Sequence, residues 1–218
     1  MTGTDMAQVL RAWQSGSASV RLRAALALGT SPDPRLLEPL VARCAIEPDF
    51  SVREMLTWAL TRFPATVTVP ALVAELGSAS PRARSQALHT LSKIGDRDAW
   101  PAITRELLTD PDPEVARSAW RAAAALVPDE EVPDLVRVLA TQFGRGDLAM
   151  RMSLSRVLIG FGDAHVPALR TAAAHPDPRV RTHAIATERL ALDPDSGFDL
   201  AIEEAKRMVA LGTTPAGG

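Results

Sequence analysis

Asp177-Pro178-Arg179-Val180-Arg181-Thr182-His183-Ala184 is the last of six copies of one pattern of residue types. Taking Val180 as the anchor, the equivalent positions are Val20, Val52, Ala83, Val115 and Met150, so successive steps are 32, 31, 32, 35 and 30 residues. A period near 31 marks a repeat array, in which each repeat is one supersecondary unit that hides its apolar face against the next. Three residues before each anchor stand Ser17, Asp49, Ser80, Asp112, Asp147 and Asp177. Their side-chain oxygens can accept bonds from the unpaired N–H groups of a first helical turn. Pro81, Pro113 and Pro178 follow three of these caps, where a helix has no use for the missing N–H.

Working outward, Ala24, Leu56, Ala87, Ala119, Leu154 and Ala184 come four residues after the anchors, and Leu28, Leu60, Leu91, Ala123, Leu158 and Glu188 come eight after. That is an apolar stripe at helical spacing, broken only by Glu188 in the last repeat. A second series, Pro39, Pro70, Pro101, Pro133 and Pro167, keeps the same period and predicts a proline in the first turn of another helix. Each repeat is therefore read as two helices. The helices are expected over residues 4–15 and 17–29, 35–45 and 50–63, 67–76 and 81–94, 99–108 and 113–126, 131–143 and 148–161, then two between 166 and 190. A final helix over 198–211 has apolar Phe198, Ile202, Ala205 and Val209 on one face and is expected to cap the array. The tail, 212–218, has nothing to bury and is expected to be flexible.

The residues from Ala83-Arg84 to Leu91-Ser92-Lys93-Ile94-Gly95-Asp96, and from Met150-Arg151 to Leu158-Ile159-Gly160-Phe161-Gly162-Asp163, resemble the second helix of short-unit HEAT repeats, the type found in phycobilisome-lyase-like proteins of bacteria. The resemblance implies an all-α, armadillo-like solenoid of about six two-helix repeats plus a C-terminal capping helix, one array over residues 1–211. The repeats would run over approximately 4–31, 32–64, 65–96, 97–128, 129–163 and 164–192. It further implies that the arginine after the anchor, present as Arg21, Arg53, Arg84, Arg151 and Arg181 but replaced by Ala116, pairs with an acidic residue of a neighbouring repeat. It also implies that the second helices line a concave inner side. The family's function does not come with its fold.

Composition narrows the partners. A net charge of −2 and a pI near 6.1 exclude binding to nucleic acid by bulk charge and leave a local basic surface as the alternative. Cys44 is the one cysteine, which excludes an internal disulfide and a four-cysteine zinc site; it reads as a core thiol. The start of the chain has no basic and apolar leader, and no apolar run is long enough to span a membrane, so a cytoplasmic protein without membrane contact is expected.

Positions two, six and ten after an anchor point away from the apolar stripe. In the middle four repeats they are Glu54, Trp58 and Arg62; Ser85, His89 and Lys93; Arg117, Arg121 and Ala125; and Met152, Arg156 and Gly160. Five are basic and one is acidic, in a chain that is slightly acidic overall. Trp58, Arg62, His89, Lys93, Arg117, Arg121 and Arg156 are therefore the candidate partner-binding residues. An acidic protein or peptide fits them. Nucleic acid is the alternative, held through phosphates with bases stacked on flat side chains. Solvated, helix-favouring arginine is the plain structural account of the same residues.

Enzyme signatures are lacking. None of His89, His165, His175 and His183 is followed by glutamate, as a HEAT-repeat iron hydroxylase requires, and zinc-protease, serine-hydrolase and phosphate-loop patterns are missing. Glu54 and Trp58, one turn apart, only faintly resemble the site of HEAT-like DNA glycosylases, and no residue suited to a bilin lyase is identified. The expectation is a non-catalytic interaction scaffold with no catalytic residue, metal or cofactor. One irregularity stands out: 17 residues separate Pro133 from Met150, against 13 from Pro70 to Ala83, which lengthens the loop around Gly144-Arg145-Gly146-Asp147.

Overall fold

The computed structural model describes residues 6–195 and 197–211; Thr4, Asp5 and the tail read as flexible, 212–218, lie outside them. No strand occurs among the described residues. The chain forms two compact units, divided between Thr104 and Arg105. In the first, α1 is Met6–Trp13, α2 Ala18–Thr30, α3 Leu37–Ile46, α4 Phe50–Leu60, α5 Ala65–Glu75 and α6 Pro81–Ile94. Helical 3-10 turns at Pro34–Leu36 and Arg97–Ala102 complete it. In the second, α7 is Arg105–Leu108, α8 Pro113–Leu126, α9 Val132–Ala140, α10 Leu148–Ile159, α11 Val166–Ala173, α12 Pro178–Leu192 and α13 Phe198–Leu211.

The cap residues do what their chemistry predicts. Asp49, Ser80, Asp112, Asp147 and Asp177 each accept a backbone N–H of their helix's first turn, whereas the Ser17 hydroxyl turns to Ser19. Anchor helices then lie side by side, α2 on α4 and α4 on α6 in the first unit, α8 on α10 and α10 on α12 in the second. Leu28, Leu56 and Leu60 of the stripe are fully buried in the first unit, as are Leu154 and Leu158 in the second. Each such leucine stabilises the fold by roughly 2–3 kcal/mol. Trp13 and Trp120 are core residues, and the Trp120 indole N–H donates to the Leu108 carbonyl at 2.8 Å. In α13, Phe198, Ala201, Ile202 and Ala205 close over Ile185, Ala186 and Leu190 of α12, and Glu188 stays exposed.

Three expectations need correction. Pro70 lies in the middle of α5, not in its first turn. The helix expected over 99–108 is broken: Pro101 sits in a 3-10 turn that ends at Ala102, the chain breaks at Ile103, and only four residues of α7 follow. Proline removes an N–H and crowds the preceding turn, and here the chain does not resume a helix until Arg105. The helix expected to reach Phe63 ends at Leu60, followed by a turn before Pro64.

The arginines after the anchors also make bonds that the implied acid ladder does not include. Arg53 donates to the carbonyls of Glu47 and Pro48, Arg84 to those of Ser78 and Ala79, and Arg181 to those of His175 and Pro176. Arg151 reaches Gly146 in the same manner. Each arginine thus folds back over the start of its own helix and clamps the preceding turn. Arg21 also has the expected acidic partner: it holds the Ser15 and Gly16 carbonyls and forms a fork with Glu47 of the next repeat, at 2.9 and 2.7 Å. Burial opposes ionisation of Glu47, but hydrogen bonds from Arg21 and Arg43 outweigh it and hold the carboxyl at about 2.

Ala116, which lacks the arginine, is fully buried, yet its turn is clamped all the same. The guanidinium of Arg145, from the lengthened loop, donates to the Asp110 carbonyl. The next repeat supplies what this one lost.

Candidate interaction face

Two buried polar triads hold the anchor helices in register. In the first unit Gln86 of α6 donates to the Thr57 hydroxyl of α4 at 2.7 Å, the Thr57 and Thr90 hydroxyls lie 3.4 Å apart, and Thr90 donates to the Gln86 carbonyl at 2.9 Å. In the second unit Ser155 of α10, with His183 and Thr187 of α12, repeats this wiring at 3.1, 2.7 and 2.8 Å. The members occupy the same positions relative to their anchors: five after for Thr57 and Ser155, three after for Gln86 and His183, seven after for Thr90 and Thr187.

His183 does more than Gln86. Its Nδ1 accepts the Gly144 N–H at 3.0 Å, so the proton of the neutral ring sits on Nε2 and points at the Arg151 carbonyl, 3.0 Å away. Burial pushes the imidazole down to about 4, and the bond to the Arg151 carbonyl offsets only part of that. Phe143 stands edge-on to the ring at 4.9 Å. Gly144 has φ 80°, and a Cβ there would stand 3.1 Å from the backbone of Arg179 and Val180. The glycine allows the close approach that brings its N–H to His183 and leaves the adjacent Arg145 to reach Asp110.

With the anchor helices so fixed, the candidate residues fall on their outward faces. In the first unit, Trp58 on α4 is 38% exposed, Arg62 is exposed in the turn after α4, and Lys93 is exposed in the last turn of α6. His89 is half-buried, with Nε2 3.1 Å from Glu54 Oε1, so the one acidic member of the row is engaged by its neighbour. In the second unit Arg121 and Arg156 are exposed. Arg121 also touches the Ser118 hydroxyl at 3.1 Å. Arg117 is drawn to Glu114 on its own helix at 2.9 Å and is half-buried, which makes it the member least available to a partner.

Two residues escaped the reading of the middle repeats. Leu26 holds the sixth position after Val20, the counterpart of Trp58, and is 43% exposed. One turn later on the same helix, Gly29 meets the indole: a Cβ there would lie 2.2 Å from Cζ3 and 2.6 Å from Cε3 of Trp58. Extending the series of sixth positions back to the first repeat would have found Leu26, whereas the Gly29 contact joins residues 29 apart and leaves no mark in the periodicity.

Other chemistry is sparse. Cys44 is buried and its thiol is pushed up to about 12 by that burial, which keeps it in the unreactive protonated form. The cavity beside it measures about 10 Å³, the lower limit for one water. Among the described residues no group of three His, Cys, Asp or Glu could hold a metal ion, and no helix is long and apolar enough to cross a membrane.

Residues 69–155 match the family model for HEAT repeats. No curated protein matches the sequence. Among solved structures, an engineered protein aligns over 96% of this chain and 98% of its own, with 20% identity and a TM-score of 0.50. The karyopherin Kap121p bound to Ste12p aligns with 18% identity and a TM-score of 0.60 over 93% of this chain, which spans only 25% of the karyopherin's length. The same karyopherin bound to the extreme C-terminus of the protein phosphatase Cdc14p gives 17% identity and 0.59. The CpcE–CpcF complex of phycocyanin lyase from Nostoc sp. PCC7120 is a more remote likeness, at 16% identity over 96% of this chain and 97% of that one, with a TM-score of 0.39. The chain has the fold of a HEAT α-solenoid, and its residues 69–155 are similar to the HEAT-repeat family.

Proposed function

We propose that this protein is a non-catalytic interaction scaffold whose outward anchor-helix faces bind an acidic protein or peptide. The observation that carries this reading is the exposure of Arg62 and Lys93 in the first unit and of Arg121 and Arg156 in the second, in a chain of net charge −2. No ion pair neutralises Arg62, Lys93 or Arg156 among the described residues, and Glu54, the acid that would repel such a partner, is engaged by His89. Complementary charge of this kind speeds encounter and selects among partners. A karyopherin of similar fold, in complex with Ste12p and with the C-terminus of Cdc14p, is an example of a HEAT solenoid that binds other proteins.

The test uses fluorescently labelled poly-glutamate and a labelled DNA duplex, with anisotropy measured against protein concentration. The natural chain should bind poly-glutamate, and a variant carrying Arg62→Glu, Lys93→Glu, Arg121→Glu and Arg156→Glu should bind about a hundredfold more weakly with an unchanged melting temperature. Equal binding by the two would overturn the reading. Tighter binding of the duplex, falling steeply with salt, would put nucleic acid in place of the acidic protein.

A further inference from the structure

The first unit carries a feature that charge does not explain. Trp58 is 38% exposed, although its neighbours on α4 within two positions, Leu56, Thr57 and Leu60, are almost completely buried. The indole is not loose. Two of its ring carbons lie where a Cβ of residue 29 would be, so α2 carries glycine at the one point where any side chain would push the ring off. The aromatic is thereby laid against the backbone of α2, with its remaining surface open to solvent. Leu26, one turn before Gly29 on α2, is 43% exposed beside this line.

The surroundings of the seat are charged in one sense. Arg62 follows Trp58 by one turn along the chain, and Lys93 follows His89 by one turn on the helix packed against α4. Both cations are exposed, and neither has an ion-pair partner among the described residues. An indole face attracts cations, but a cationic partner would meet Arg62 and Lys93, while the carboxylate of Glu54, one turn before Trp58, lies against His89 at 3.1 Å. An uncharged aromatic ring bears no such penalty and gains from packing on both the indole and Leu26.

We infer that the acidic partner carries an aromatic side chain, which packs on Trp58 and Leu26 over the Gly29 gap while flanking carboxylates reach Arg62 and Lys93. This rests on the interaction scaffold proposed above and specifies what its partner must contain. Charge fixes the approach, and the aromatic contact fixes the register of the bound segment.

The experiment compares labelled poly-glutamate with a labelled random copolymer of glutamate and tyrosine of matched length. The natural chain should bind the copolymer about tenfold more tightly than poly-glutamate. Trp58→Ala should abolish that preference, the copolymer then binding no more tightly than poly-glutamate does to the same variant; Trp58→Leu, which keeps apolar volume against α2, serves if the alanine variant melts early. Gly29→Ala should weaken the copolymer severalfold by displacing the ring while touching no charge. If poly-glutamate binds and the copolymer binds no better, or if the preference survives in both Trp58 variants, the aromatic contact is overturned and the charge reading stands. If neither polymer binds, both fall together.

Discussion

Gln86 and His183 occupy the same node of the same buried triad, one in each unit, and they differ in how many partners they bind. Gln86 joins two helices: its amide reaches Thr57 and its carbonyl receives Thr90. His183 joins the same two kinds of helix and also takes the Gly144 N–H, so it fastens the lengthened loop whose Arg145 clamps the turn before Ala116. An amide in that node is a local spacer. An imidazole, with an acceptor on one side of the ring and a donor on the other, reaches a third segment. It is also sensitive to protons, as the amide is not.

The sharpest way to break this contrast lies at the charged clamp of the first unit. Glu47→Ala leaves Arg21, which is only 6% exposed, without its carboxylate, and should cost about 3–5 kcal/mol in urea unfolding. A loss below about 1 kcal/mol would mean that the turn is held by the Ser15 and Gly16 carbonyls alone.

Acid should separate the units next. Unfolded histidine takes up a proton near pH 6.5, whereas folded His183 refuses one until about 4. Stability is therefore whole above the ordinary imidazole range and drains away as the pH falls from about 6.5 to about 4, by about 3 kcal/mol in total. His183→Gln copies the first unit's node and should remove this component from the pH profile, even though it loses the Gly144 bond. A profile unchanged by the substitution would show that another group governs acid loss.

The smallest effect is expected at the borrowed clamp. Arg145→Ala should cost about 1–2 kcal/mol and speed amide exchange around Asp110. Arg181→Ala, which removes a clamp from within its own repeat, should cost a similar amount. A much larger loss at Arg145 would show that the lengthened loop carries load beyond one carbonyl bond.

The architecture was legible because it depends on local signals. Cap, proline and stripe recur at fixed offsets, so the limits expected for α6, α8 and α13 are those observed. The break at Ile103 was not legible, since Pro101 has the same spacing as Pro133, which starts a helix normally. The candidate face was half legible: exposure of Arg62, Lys93, Arg121 and Arg156 follows from helical phase, but the capture of Arg117 by Glu114 needs side-chain geometry. The triads were invisible for a different reason. Thr57, Gln86, Ser155 and His183 sit beside the apolar stripe, and their partners lie about one repeat away, so no window of one helix links them. The arginines were noticed at the right positions, but their bonds to the preceding turn were not, because a backbone carbonyl has no letter in the sequence.

The Arg145 clamp bears on how such an array can change over time. Repeats that fasten their own turns are interchangeable parts, open to duplication, deletion or shuffling one at a time. For its turn, the fourth repeat depends on the fifth, since removing the loop of one loosens the turn of the other. They can be inherited, transplanted or engineered only as a pair, and a designer who cut this chain between Val127 and Val132 would separate a guanidinium from the carbonyl that it serves.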